Sequence, residues 1–216
     1  MEAPVPDAMD APGPHAMDHR GSDERNAVPD LNDAHDLREQ TVSSETVYQG
    51  VFLKIRKDQA RLPDGSLHVR EWVVHPGASA ILALSETGDV LIERQWRYPM
   101  GREYLEIPAG KIDAGETPLQ TAQRELLEET GMRAVHWEPL TVIHPAIGFS
   151  NEIIHIFIAR GLSGSPEQAA LDHGERIQTL WMSLTDLMDR VRKGQLPDVK
   201  TQIALWHLQE RTLRGD

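Results

Sequence analysis

The sequence contains no cysteine, which excludes disulfides, thiolate metal sites and a cysteine nucleophile. It also lacks any uninterrupted apolar run near the roughly 18 residues that a membrane-spanning helix needs. Positive charge is in deficit: 22 Lys and Arg stand against 34 Asp and Glu, a net charge of -12. That balance argues against a nucleic-acid binder, whose affinity would come from neutralising phosphates. The opening residues, MEAPVPDAMDAPGPHAMD, have neither a basic leader nor an apolar core, so no secretory signal is expected. A soluble, cytoplasmic protein that does not bind membranes is the expectation.

Aromatic residues are scarce, and none precedes Tyr48. Residues 1–40 carry ten acidic and three basic side chains and are rich in proline, so this stretch cannot bury enough apolar area to offset its ordering entropy. Residues 1–42 are expected to be a disordered acidic tail, with His15, His19 and His35 as solvated side chains. The 39% hydrophobic content of the whole sequence suits one sizeable core with a small accessory unit.

Residues 43–76 read as a small antiparallel sheet. VYQGVFLKIRKDQARL and SLHVREWVVHPG flank the turn signal Pro63-Asp64-Gly65. Residues 77–216 read as the main domain. ASAILAL and VLIERQWRYP are apolar enough for central strands, EYLEIPAGKID is a short strand entering a loop, and VHWEPLTVIH, EIIHIFIAR and IQTLWMSL are later strands. GLSGSPEQAALDHGER is expected to be a loop. Apolar residues at three- and four-residue spacing predict helices at TDLMDRVRKG and KTQIALWHLQERTL. Strands interrupted by a few helices indicate an α/β or α+β sandwich.

The most informative segment is GKIDAGETPLQTAQRELLEETGM, Gly110 to Met132. Thr117 suits an N-cap, Pro118 the first helical turn and Gly131 a left-handed C-cap. Leu119, Ala122 and Leu126 share one stripe of the helix. Glu125, Glu128 and Glu129 gather on another, where like charges repel by a few tenths of a kcal/mol per pair. Glu128 and Glu129 also sit at the end where the helix dipole disfavours anions. Three glutamates alone are by default a solvated acidic face with Arg124 as a local partner. Carboxylates in rigid register are also what a hard cation such as Mg²⁺ requires.

The longer pattern decides between the two. Gly110, Glu116 and the run Arg124-Glu125-Leu126-Leu127-Glu128-Glu129-Thr130-Gly131-Met132 match the Nudix box at every defined position, so the chain resembles the Nudix hydrolases. The resemblance implies an α/β/α sandwich with a mixed sheet and a loop–helix–loop box. It implies that Glu125, Glu129 and the Ala109 carbonyl hold Mg²⁺ or Mn²⁺, with Glu128 a further or supporting ligand. Gly110, Glu116, Arg124 and Gly131 are then structural, Glu116 pairing with Arg124 to fold the loop against the helix. Several metal ions together neutralise a diphosphate, activate water and stabilise the leaving phosphate.

RQWRYPMGREYLEIPAGKID and HVREWVVHPGA narrow the resemblance to the branch that hydrolyses ADP-ribose and other nucleoside diphosphate sugars, giving a nucleoside monophosphate and a sugar phosphate. In that branch the N-terminal sheet is exchanged across a homodimer. By this analogy Arg70 and Glu71 reach the partner's site, and Arg97 faces the substrate in its own. Trp96 alternates with Arg97 and is expected to point into the core. In HPAIGFSNE the second proline usual before the loop glycine is replaced by Ile147, which leaves other nucleotide sugars open as substrates. Glu152 is a candidate substrate contact. In LDHGERI, Glu175 matches the family's mobile-loop carboxylate that acts on the attacking water. Asp172 is its alternative, and His173 is expected to be an exposed loop residue. Two rival functions remain: hydrolysis of nucleoside triphosphates or dinucleoside polyphosphates, and a non-catalytic nucleotide sensor. The nucleotide-sugar-type hairpin disfavours the first and the complete box disfavours the second.

Overall fold

Strand β4 (Ala78–Ala83), the run ASAILA, is buried at all six positions, as expected for a strand covered on both faces. In the computed structural model it lies inside a mixed four-stranded sheet of order β7-β4-β9-β8, where β7 is Ala109–Lys111, β8 Met132–Ile143 and β9 Ile154–Gly164. β4 runs parallel to β9 and antiparallel to β7, and β8 is antiparallel to β9. A second sheet, of order β10-β5-β6, consists of Ile177–Met182, Val90–Arg97 and Arg102–Glu106.

The structure describes residues 37–171, 174 and 176–215. Nearly all of the expected acidic tail, with His15, His19 and His35, therefore lies outside the described residues, as do Asp172, His173 and Glu175. Residues 39–216 form one compact unit.

The alternation of β4 divides the core. Ala78, Ala80 and Leu82 face one apolar cluster with Ile156 and Ile158 of β9, backed by helices α2 (Leu184–Arg192) and α3 (Val199–Arg214). Ile81 and Ala83 face a second cluster closed by Ala122 and Leu126 of helix α1 (Pro118–Thr130). Helices therefore cover both sides of the mixed sheet. Truncating the fully buried Leu126 to alanine would cost about 2–5 kcal/mol. Leu119 departs from the expected stripe, being 38% exposed; it lies in the first turn, beyond the cluster that Ala122 and Leu126 fill.

The three α-helices among the described residues begin on side-chain caps. Thr117 and Gln120 form a reciprocal capping box at α1, Ser183 caps α2 and Asp198 caps α3. α1 ends at Gly131, whose φ of 71° is left-handed. A Cβ there would also stand 2.0 Å from the Ser165 carbonyl oxygen, so glycine is required twice over.

The N-terminal segment forms a three-stranded antiparallel sheet, β1 (Gln40–Gln49), β2 (Lys54–Arg61) and β3 (Leu67–Val74). The hairpin around Pro63-Asp64-Gly65 joins β2 to β3 as expected. What read as one run from Val47 to Leu62 is split by a turn in which the Gly50 N–H donates to the Leu53 carbonyl at 2.8 Å. β1 also begins at Gln40, so residues 40–42, read with the disordered tail, are strand: Gln40 and Thr41 pair with Arg61 and Ala60. Part of the expected loop at 161–176 is regular structure, since β9 runs on to Gly164 and a 3-10 turn spans Pro166–Gln168. Among the described residues no helix is long and apolar enough to cross a membrane.

Candidate active site

Strand β7 and helix α1 bring the box together. Gly110 lies beside Ser79 of β4, and the Ser79 hydroxyl donates to the Pro118 carbonyl at 2.7 Å, holding the start of α1 against the sheet. A Cβ on Gly110 would overlap the Glu125 carboxyl group, so the missing side chain is what lets that glutamate lie against β7. One turn further on, Glu129 is buried, and its Oε2 accepts the Ala109 N–H at 3.0 Å. The Ala109 peptide and the Glu125 and Glu129 carboxylates thus occupy one region, as the motif implies.

Arg124 is the cation of this region. Its Nε and Nη2 donate to Glu116 at 2.9 and 3.0 Å, and Nη2 also donates to the Lys111 carbonyl at 3.1 Å. This fork pins the loop 111–116 to the helix. Hydrogen bonds from Arg124 and Thr121 hold the Glu116 carboxyl down to about 2, and Glu116 in turn raises Arg124. Arg124 does more than the pairing expected of it: Nη1 donates at 2.8 Å to both Glu125 Oε1 and Glu128 Oε2. The like-charge repulsion along the helix is therefore offset by one guanidinium.

Among the described residues no three acidic or histidine side chains already converge as a metal cage. The donor set nevertheless fits a divalent metal. It offers only oxygens, as a hard cation requires, and two of its carboxylates lie against a cation already.

Arg97, at the end of β5, reaches back along its sheet to Glu106 of β6, with Nε–Oε1 and Nη2–Oε2 both 2.7 Å. Burial pushes the Glu106 carboxyl up, but hydrogen bonding to Arg97 and the charge of Lys200 bring it down to about 2. Trp96 points to the opposite face, as alternation requires, yet it is 57% exposed and not core. It lines an open groove with Arg94, Glu103 and Arg176. Alternation fixes the face of a strand that a side chain takes, not what covers that face.

The stretch 144–153 is tied to the chain from the end of β3 to the start of β4. The Val73 N–H donates to the Phe149 carbonyl, the His75 N–H to Asn151 Oδ1 and the Ala78 N–H to the Ile153 carbonyl, each at 2.8 Å. Glu152 lies 3.7 Å from His75 Nε2. Burial lowers His75 against the opposing pull of Glu152. Arg70 is held within its own chain by Glu39 at 2.7 and 2.9 Å. Glu71 is exposed and, being the next residue on β3, points to the other face. Sequence reasoning missed Glu106, Lys200 and His75. Glu106 stands three residues before Ala109, but its strand, REYLE, carries three charged residues and does not single it out; Lys200 gives no local signal either.

The chain is similar to known proteins over most of its length. The NUDIX domain model matches residues 73–202, and the nucleoside diphosphate sugar hydrolase N-terminal domain model matches residues 39–73. The chain is 38% identical over 173 residues to the ADP-ribose pyrophosphatase of Bacillus subtilis (strain 168), covering 80% of this chain and 94% of that protein. It is 40% identical over 166 residues to the ADP-ribose pyrophosphatase of Mycobacterium tuberculosis (strain ATCC 25618 / H37Rv), covering 75% and 78%. A solved structure described as an ADP compounds hydrolase shares the fold, with a TM-score of 0.72 at 21% identity, covering 84% of this chain and 98% of that one.

Proposed function

From the premise that the chain belongs to the NUDIX domain family, we propose that it hydrolyses the diphosphate bond of ADP-ribose or a related nucleoside diphosphate sugar. The products are a nucleoside monophosphate and a sugar phosphate. The observation that carries the reading is the complete box seated against β7, with Glu125 in the space left by Gly110 and Glu129 on the Ala109 N–H. The N-terminal sheet and the relatives turn the choice of substrate toward nucleotide sugars.

Glu125, Glu129 and the Ala109 carbonyl would hold Mg²⁺ or Mn²⁺, with Glu128 beside them. Bound there, divalent metal supplies charge neutralisation for the diphosphate and an acidified water. The chain's own residues do the rest. Arg124 and Glu116 keep the box loop closed on the helix. Arg97, its side chain 44% exposed beyond the Glu106 pair, has N–H donors left for a phosphate oxygen. Glu152 and its loop contact the sugar or nucleoside end. Glu175 orients or deprotonates the attacking water. Arg70 and Glu71 act across a homodimer, a reading supported by the apolar side chains Val47, Tyr48, Leu67 and Val69 exposed on the N-terminal sheet. Absence of cysteine is consistent with a cytoplasmic location.

The test is product release from ADP-ribose, ADP-glucose, GDP-mannose, NADH, diadenosine polyphosphates and nucleoside triphosphates, with and without Mg²⁺. Metal-dependent formation of AMP and ribose 5-phosphate, lost in Glu129→Gln, is expected. Tight nucleotide binding with no turnover of any diphosphate would overturn the reading in favour of a sensor.

A further inference from the structure

Lysine is rarely buried unless it is paired, yet Lys200, in the first turn of α3, is 8% exposed. Its ammonium donates to the Glu106 carboxylate and, at 3.1 Å, to Asp198 Oδ2. Glu106 is itself 4% exposed, and its Oε2 accepts from Lys200 and from Arg97 together. Asp198 caps α3 by accepting the Thr201 N–H at 3.0 Å, and the Thr201 hydroxyl accepts the Ile107 N–H at 2.9 Å. The start of α3 is thus keyed to the end of β6 by a neutral hydrogen bond and by an alternating row of charges, Asp198, Lys200, Glu106 and Arg97. Arg97 is the outermost member of that row, and Glu129 is among the carboxylates whose field acts on it.

We propose that Lys200 is a positioning residue for substrate binding: it holds the Glu106 carboxylate in place, and Glu106 in turn aims the Arg97 guanidinium at the diphosphate. The inference rests on the reading of Arg97 as a phosphate contact. Two N–H groups of Arg97 are spent on Glu106, and the remaining donors of a planar guanidinium are fixed in direction once those two are. Lys200 is shared between Glu106 and Asp198, so it balances the second carboxylate of the row. Without it, two carboxylates face Arg97 as the one remaining cation of the row, and the guanidinium is drawn inward toward them. The role belongs to binding rather than to the chemical step, because Lys200 lies behind Glu106 and touches no reacting atom.

The test compares full-length wild type, Lys200→Met, Arg97→Ala and the double variant. Steady-state kinetics on ADP-ribose with Mg²⁺ and calorimetric titration of ADP-ribose are read together, and thermal melting reports folding. Lys200→Met is expected to raise KM about tenfold with kcat changed by less than about threefold, as when one charge-assisted hydrogen bond is lost. In the Arg97→Ala background the same substitution should leave KM unchanged, because its effect passes through Arg97. Additive effects of the two substitutions overturn the proposal, as does a wild-type KM in Lys200→Met while Arg97→Ala binds weakly. If Arg97→Ala itself binds and turns over normally, the Arg97 reading falls and this inference with it. Should Lys200→Met fail to fold, Lys200→Met with Glu106→Gln removes both buried charges together. That variant is expected to melt cooperatively and still show the raised KM, and a wild-type KM in it overturns the proposal.

Discussion

Gly110 and Glu125 compete for one space: a Cβ on Gly110 would stand 1.8 Å from Glu125 Oε1. Gly110 has no left-handed φ, so the requirement is for close approach and not for backbone freedom. Gly110→Ala is therefore expected to act on the carboxylate rather than on the fold. The Glu125 side chain is flexible and can swing away at modest cost, but it then leaves its place against β7. A misplacement of about 1 Å at a reacting centre can cost on the order of a hundredfold in rate. Metal-dependent kcat/KM should fall by about that factor, while the melting temperature drops only slightly. A variant with unchanged kcat/KM would remove the Gly110–Glu125 contact from the account of the site.

The acid side of the stability profile should carry the marks of Glu116 and Glu106. Both are held down to about 2 from an ordinary value of 4.5. The folded chain therefore binds fewer protons at these groups than the unfolded chain does in mild acid. Their stabilisation is fully present above about pH 4.5 and is lost as pH falls toward 2. For the buried Glu106 the loss is on the order of 2–3 kcal/mol. Melting curves of wild type and Glu116→Gln, taken between those limits, should converge as pH falls. Curves that stay parallel would show that Glu116 titrates alike in both states.

What the sequence made legible follows from where the chemistry is written. The box occupies one continuous stretch, so its caps, its carboxylates and the Glu116–Arg124 pair could all be placed by local spacing. β4 was equally legible, because five of its six buried residues are apolar and leave little choice. β1 was not: all ten of its side chains are exposed, so no alternation marks it, and only its backbone ladder with β2 defines it. Trp96 failed for a related reason, since the pleat assigns a face but not a neighbour. The Lys200–Glu106 pair joins residues 94 positions apart, a separation over which periodicity carries no information.

For Glu175 the sequence resemblance and the anchoring of the neighbouring chain combine. Ala170 donates its N–H to the Glu128 carbonyl at 2.8 Å, so the chain is fastened to the last turns of α1 five residues before Glu175. Five residues reach at most about 17 Å when extended. Glu125 and Glu128 are already drawn to Arg124, and Glu129 to the Ala109 N–H. Those engagements disfavour the three box glutamates as the base, and the sequence resemblance assigns that role to Glu175 instead. Glu175→Gln should lower kcat by about 10²–10⁴, the usual worth of a general base, with KM changed by less than about threefold. The acid limb of the kcat profile should disappear with it. Asp172→Asn in parallel separates the two acids of the segment. If Asp172→Asn is slow and Glu175→Gln turns over like wild type, the base is Asp172 and the motif alignment shifts by three residues.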